Sequence, residues 1–131
     1  IVAPLRKEAA NTVKKCLSKI DHNCFHIVSP MHYLEFAWLT RNAKGIITDS
    51  GNVAEEATFN HVPCITLNSY TEHIETVRIG TNVLVGEKAD NLAHAIEDLE
   101  AGKWKKGQLP NRWDGRTAMR MLNILASQGI D

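Results

Sequence analysis

One stretch of this chain has the residue types and spacing to do chemistry. The apolar run Gly45-Ile46-Ile47-Thr48 ends in Asp49-Ser50-Gly51-Asn52, and two adjacent carboxylates, Glu55 and Glu56, follow. A strand-to-helix turn at this point leaves the first helical N–H groups unpaired and carries about half a unit of positive charge. Small residues let an anion reach that backbone, and Ser50 adds a hydroxyl donor. By mechanism this is a phosphate cradle, although it matches neither the GxGxxG nor the GKS/T pattern. Capping also fits, because Asn52-Val53-Ala54-Glu55 has the spacing of an N-cap with a reciprocal glutamate at the third helical position. The two readings are compatible, with Glu55 as cap and Glu56 facing a ligand. A carboxylate cannot attract phosphate, so Glu56 needs a different partner. Vicinal ribose hydroxyls suit a group that accepts two hydrogen bonds at once. A nucleoside diphosphate would satisfy both features.

The elements that must position this turn alternate along the chain. Ile1-Val2-Ala3-Pro4-Leu5 reads as a strand, and Ala10, Val13, Leu17 and Ile20 then recur at helical spacing. Phe25-His26-Ile27-Val28 is a second strand, closed by Ser29-Pro30, and Tyr33 to Ala43 is a helix with Leu34, Ala37 and Trp38 on one side. Strand 45–48 precedes a short helix from about Val53 to Asn60, and strands 63–67 and 82–85 come next. Leu92, Ala95, Ile96 and Leu99 mark one amphipathic helix; Ala118, Met121, Leu122 and Leu125 mark the last, with Asp114 or Thr117 as its cap. Short, continuously apolar strands alternating with helices predict an α/β fold, a doubly wound parallel sheet covered on both faces. In such sheets ligands sit beyond the carboxyl ends of the strands, which is where the turn at Ser50 lies.

Bulk properties narrow the function classes. The 131 residues suit a single domain, 1–131, and 15 basic against 15 acidic side chains leave no global positive field. No nucleic-acid partner is therefore expected, since such binding draws on phosphate neutralisation. Lys103-Trp104-Lys105-Lys106 reads as a solvated turn. Cys16, Cys24 and Cys64 are odd in number and lack CxxC spacing, so reduced thiols are expected, with Cys64 a small core residue. No apolar run is long enough for a membrane span. His22, His26, His32, His61 and His94 have no mutual metal-ligand spacing and read as structural or surface groups. No metal and no cofactor are expected. The chain opens on a strand without an initiator methionine, which reads as part of something longer.

Thr48-Asp49-Ser50-Gly51-Asn52-Val53-Ala54-Glu55-Glu56-Ala57 resembles the TDSGG-x-x-EEA segment of the non-hydrolysing UDP-N-acetylglucosamine 2-epimerases. Val62-Pro63-Cys64, Tyr70-Thr71-Glu72-His73-Ile74-Glu75 and Gly80-Thr81-Asn82-Val83-Leu84-Val85-Gly86 follow in register with the family's G-K-P-V, T-T-E-R-P-E and G-T/S-N-x-L-V-G segments. Pro30-Met31-His32-Tyr33-Leu34-Glu35-Phe36 resembles P-x-x-Y-x-x-F upstream, and Asp114-Gly115-Arg116-Thr117-Ala118 resembles G-D-G-K/R-A/S downstream. The resemblance implies most of the second, UDP-holding domain of a GT-B arrangement, Rossmann-like in form. It places Ser50 and the amides of Gly51 and Asn52 on the diphosphate, Glu56 on the ribose, and His73 within reach of the phosphates. Met31, with the Pro30 backbone, and Phe36 would border the uracil.

The reaction so implied is inversion at C2 of the sugar by elimination of UDP and re-addition. It implies a cytoplasmic enzyme that serves cell-surface polysaccharide synthesis, a UDP-sugar substrate, and a homodimer among the possible assemblies. The family's proton-transferring groups lie in a missing N-terminal domain and in the stretch before Ile1. No catalytic residue is expected here, and the fragment alone is expected to be inactive. The family's first strand of this domain, central in the sheet, is also absent. Two departures stand out: Asn52 replaces the second glycine, and His73 replaces an arginine. Arginine stays charged, whereas histidine titrates near neutrality. The donor-binding domain of a GT-B glycosyltransferase and a non-catalytic α/β module are the alternatives.

Overall fold

Parallel pairing dominates, as the alternation of strands and helices requires. The computed structural model describes residues 1–19 and 23–129. The expectations placed on Ile20 and His22 lie outside the described residues. Two compact units divide at position 39, Ile1–Leu39 and Thr40–Asp131.

In the first unit, β1 (Val2–Pro4) pairs in parallel with β2 (His26–Val28), and α1 (Lys7–Leu17) links them. Val2 lies opposite His26, and Pro4 opposite Val28. The Ile1 ammonium donates to the Cys24 carbonyl at 2.7 Å, and His26 N–H donates to the Ile1 carbonyl at 2.8 Å. α2 (Tyr33–Arg41) begins here and crosses the border at Leu39. It stops two residues short of Ala43, the expected end.

In the second unit β3 (Ile46–Thr48), β4 (Cys64–Thr66) and β5 (Asn82–Leu84) form a parallel sheet with β4 in the middle. All three residues of β4 are buried, because helices cover both of its faces. Neighbouring strand residues point to opposite faces, and the two halves of the core follow from that. Cys64 packs with Ala54 and Ala57 of α3 (Gly51–Phe59), and Ile46 joins them. The alanines let that helix approach closely. Ile65 faces the other way and packs with Val85 and with Ala95 of α5 (Ala89–Glu100); Leu92, Ile96 and Trp104 surround them. The short α4 (Ile74–Arg78) lies between β4 and β5 in the chain, and α6 (Thr117–Ser127) comes last.

Several expectations need correction. Among the described residues the parallel strands pair as two sheets, β1-β2 and β3-β4-β5. Leu34 and Trp38 of α2 are 79% and 68% exposed, and Met121, Leu122 and Leu125 of α6 are also exposed. An apolar stripe records a demand for burial and not the surface that meets it. The 103–106 segment is more than a solvated turn. Trp104 Nε1 donates to the Thr81 carbonyl at 2.8 Å, and the Lys105 ammonium donates to the Val77 carbonyl. At α6, Asp114 accepts the Arg116 N–H at 3.1 Å and pairs with Arg120, while Thr117 is already helical.

Cys64 is a core residue, as its apolar strand predicted, and burial pushes its thiol up to about 11. A thiol held protonated and out of solvent is a poor nucleophile. We expect Cys16 and Cys24, both exposed, to react with DTNB at pH 8 in the native chain, and the third thiol only after denaturant is added. Three fast thiols in the native chain would contradict this packing.

Candidate functional site

The turn after β3 lies at the carboxyl end of its strand. Ser50 N–H donates to Thr48 Oγ1 at 3.0 Å, and Asn68, just past β4, donates from Nδ2 to the Asp49 carbonyl at 3.1 Å. Leu67 N–H donates to the Thr48 carbonyl at 2.9 Å. The turn is thus held from both neighbouring strand ends. Ser50 is the extended residue before α3, and the helix starts at Gly51, two residues earlier than expected.

The Ser50 side chain makes no capping hydrogen bond at the start of α3. The capping box between Asn52 and Glu55 does not form, because Asn52 lies inside the first turn and not before it. Glu55 points to another partner: His73 Nδ1 donates to its Oε1 at 3.0 Å. Among the described residues the Ser50 hydroxyl and the Glu56 carboxylate have no hydrogen-bonded partner. Glu56 is half-buried and five residues into the helix, about 7 Å along its axis.

His73 comes from the connection between β4 and α4 and lies directly over the start of α3. A β-carbon on Gly51 would sit 2.6 Å from His73 Cδ2 and 3.0 Å from Nε2. Only glycine leaves room for the ring there. With Nδ1 committed to Glu55, the Nε2 edge is the one turned to the helix start. An imidazolium donates from both nitrogens, so Nε2 can then serve an anion beside the first-turn amides. The backbone of His73 is also fixed: its N–H donates to Thr71 Oγ1 at 3.1 Å, and its carbonyl accepts from Thr76 N at 3.0 Å and Thr76 Oγ1 at 2.7 Å.

Five of the seven residues singled out from the sequence therefore belong to one place or its helix. Ser50, Gly51 and Asn52 form the turn, His73 covers it, and Glu56 follows on α3. Met31 and Phe36 belong to the other unit, Met31 just beyond β2 and Phe36 on α2, both half-buried. His32 N–H donates to Glu35 Oε2 at 3.0 Å, and Phe36 N–H to the His32 carbonyl at 3.0 Å, so this stretch is ordered as the start of α2. His26, His32, His61 and His94 are exposed, as expected of surface groups.

Sequence spacing missed two features. The Glu55–His73 pair joins residues 18 positions apart, and Glu75 brings its carboxylate into the same trio, with ligand atoms within 4.8 Å of one another. The hydrogen bond accounts for the closeness of Glu55 and His73, and the trio carries no metal assignment. The second feature is a line of buried hydrogen bonds behind His73. Its only trace in the sequence is a polar Asn82 at the head of an apolar strand.

A helix start at a strand's carboxyl end in a parallel α/β sheet, with glycine beneath a histidine, is an arrangement able to hold an anion. The UDP-N-acetylglucosamine 2-epimerase family model matches residues 1–126, and the chain belongs to that family. It is 44% identical over 100 residues to a UDP-N-acetylglucosamine 2-epimerase of Methanocaldococcus jannaschii, covering 76% of this chain and 26% of that one. Among solved structures, the M. jannaschii UDP-GlcNAc 2-epimerase in complex with UDP-GlcNAc and UDP superposes with a TM-score of 0.72 at 36% identity, covering 97% of this chain and 35% of that one. A Listeria monocytogenes structure described as a putative UDP-N-acetylglucosamine 2-epimerase gives 0.79 at 30% identity, covering 99% and 36%. The chain thus spans about a third or less of the length of these relatives. The match favours the epimerase reading over a glycosyltransferase domain.

Proposed function

We propose that this chain is the UDP-binding portion of a nucleotide-sugar 2-epimerase. The observation that carries the proposal is the start of α3: backbone donors without a side-chain cap, a free Ser50 hydroxyl, and His73 packed on Gly51. Among the described residues the Ser50 side chain does not occupy that backbone. The M. jannaschii relative was solved with UDP-GlcNAc and UDP bound, which supports a uridine diphosphate as the anion.

In this reading the pyrophosphate sits against Ser50 and the amides of Gly51 and Asn52, with His73 at its side. Glu56, whose carboxylate is free, accepts the two ribose hydroxyls. The bond that breaks in the reaction is the one from the sugar's anomeric carbon to the diphosphate oxygen, and it leaves UDP as an anion. Donors fixed by the fold stabilise that developing charge without reorganising, so the turn serves the transition state as well as binding. The reacting groups would come from an N-terminal domain. UDP-N-acetylglucosamine and its C2 epimer, UDP-ManNAc, are the proposed pair of substrates, with the enzyme cytoplasmic.

UDP at a hundred times its dissociation constant stabilises a binding-competent protein by about 2.7 kcal/mol. Thermal unfolding of the purified chain with and without UDP should show a higher midpoint with the nucleotide. The same sample should give no epimerised sugar nucleotide when supplied with UDP-N-acetylglucosamine. An unshifted midpoint at millimolar UDP would remove the proposed site, and turnover would show that the reaction needs no N-terminal domain.

A further inference from the structure

Behind the site, a line of buried polar side chains runs from the middle of the sheet to His73. Thr66 on β4 donates from Oγ1 to Asn82 Oδ1 on β5 at 2.7 Å. Asn82 donates from Nδ2 to Thr76 Oγ1 on α4 at 3.1 Å. Thr76 in turn donates from Oγ1 to the His73 carbonyl at 2.7 Å. Asn82 and Thr76 are 0% exposed and Thr66 is 2% exposed, so water does not substitute for any link.

The order of donors matters. A hydroxyl has one proton, so when Thr76 gives it to His73 the group on its other side must donate for that contact also to be a hydrogen bond. The Asn82 amide has a donor end and an acceptor end. Thr66 takes the acceptor end, which turns the NH₂ toward Thr76 and commits the Thr76 proton to His73. A buried apolar strand gains nothing from asparagine unless the amide is fully used, since an unpaired buried amide is costly. Here both ends are used, and both uses converge on one loop carbonyl.

We infer that Asn82 and Thr76 are positioning residues that hold His73 over the start of α3, and so set its reach to the diphosphate of a bound nucleotide. The inference rests on the proposed UDP site. His73 is the first residue before α4 and sits with φ −98° and ψ 59°, outside the helical region. A residue so placed needs external fixing if its ring is to stay both against Gly51 and within 3.0 Å of Glu55. Thr76 supplies that fixing at the carbonyl, and Asn82 orients Thr76.

The test compares UDP with uridine by calorimetry on the full chain, in wild type, Thr76→Val, Thr76→Ser and Asn82→Leu. Valine keeps the shape of threonine and removes the hydroxyl; serine keeps the hydroxyl. Thr76→Val and Asn82→Leu should each weaken UDP about fivefold, the worth of one hydrogen bond, and leave uridine unchanged. Thr76→Ser should bind UDP like wild type. In a His73→Ala background, Thr76→Val should cause no further loss. Equal losses for UDP and uridine, or the same loss in the His73→Ala background, would overturn the positioning role. So would a Thr76→Val variant that binds UDP as wild type does. A wild-type chain that shows no preference for UDP over uridine would instead overturn the diphosphate site itself.

Discussion

Replacing Gly80 with alanine should cost the second unit about 3 kcal/mol, the upper end of ordinary overpacking. The buried glycine lies where α3, α4 and β5 meet. Its added β-carbon would come within 2.4 Å of Thr58 Oγ1, 2.5 Å of Thr58 Cγ2 and 2.7 Å of the Thr76 carbonyl oxygen. Thr58 is fully buried and cannot swing away, and the third contact is backbone. Domains of this size have only about 5–15 kcal/mol of stability in total. A loss of this size should therefore show as a large drop in the urea midpoint. Thr58 Oγ1 is itself buried without a hydrogen-bonding partner among the described residues, so Thr58→Ala removes an unsatisfied group as well as the obstacle. The double variant Gly80→Ala, Thr58→Ala should be more stable than Gly80→Ala alone, yet short of wild type because the Thr76 carbonyl remains. A midpoint for Gly80→Ala within error of wild type would show that the three elements pack more loosely than their separations indicate.

The second large effect concerns binding. Glu56→Ala should weaken UDP by ten- to a hundredfold, on the order of 1.5–3 kcal/mol for hydrogen bonds to a charged acceptor. The carboxylate has no partner among the described residues, so its removal leaves no group of the protein unsatisfied. Folding stability should hardly change. The loss should be specific to the sugar: wild type should prefer UDP to its 2′,3′-dideoxy analogue, and Glu56→Ala should not distinguish them. Inorganic pyrophosphate, which touches only the turn, should bind both proteins alike. A Glu56→Ala protein that still favours the ribose hydroxyls would move the clasp to another residue. Together with the UDP-versus-uridine comparison at Thr76, this separates the two ends of the nucleotide.

Much of this was legible in the residues because the physics involved is local. Alternation of short apolar strands with helical periods is a property of neighbours, and it predicted the parallel α/β arrangement found in both units. The turn at Ser50 was visible for the same reason, since small polar residues at a strand's end speak about the backbone they belong to. α4 leaves no mark in the sequence because its five residues are too few to show a helical period. The spacing of Asn52 and Glu55 imitates a capping box and points two residues past the true start of α3. Local spacing could not show that Glu55 had a better partner in His73.

The remaining features depend on what the crossovers bring together. Leu34 and Trp38 carry an apolar stripe, but exposure is decided by the surface opposite, and no spacing rule supplies that surface. Trp104 and Lys105 look like solvated-turn residues until Thr81 and Val77 appear beside them as acceptors. The order of elements and the strand-end turn are legible in the residues alone, because each is set within a few positions. That His73 covers Gly51, that Glu55 pairs with it, and that Asn82 and Thr76 stand behind it follow from the folded arrangement. Those contacts join residues on separate strands and helices, and hydrogen bonds between remote groups exist only once the sheet has fixed their distances.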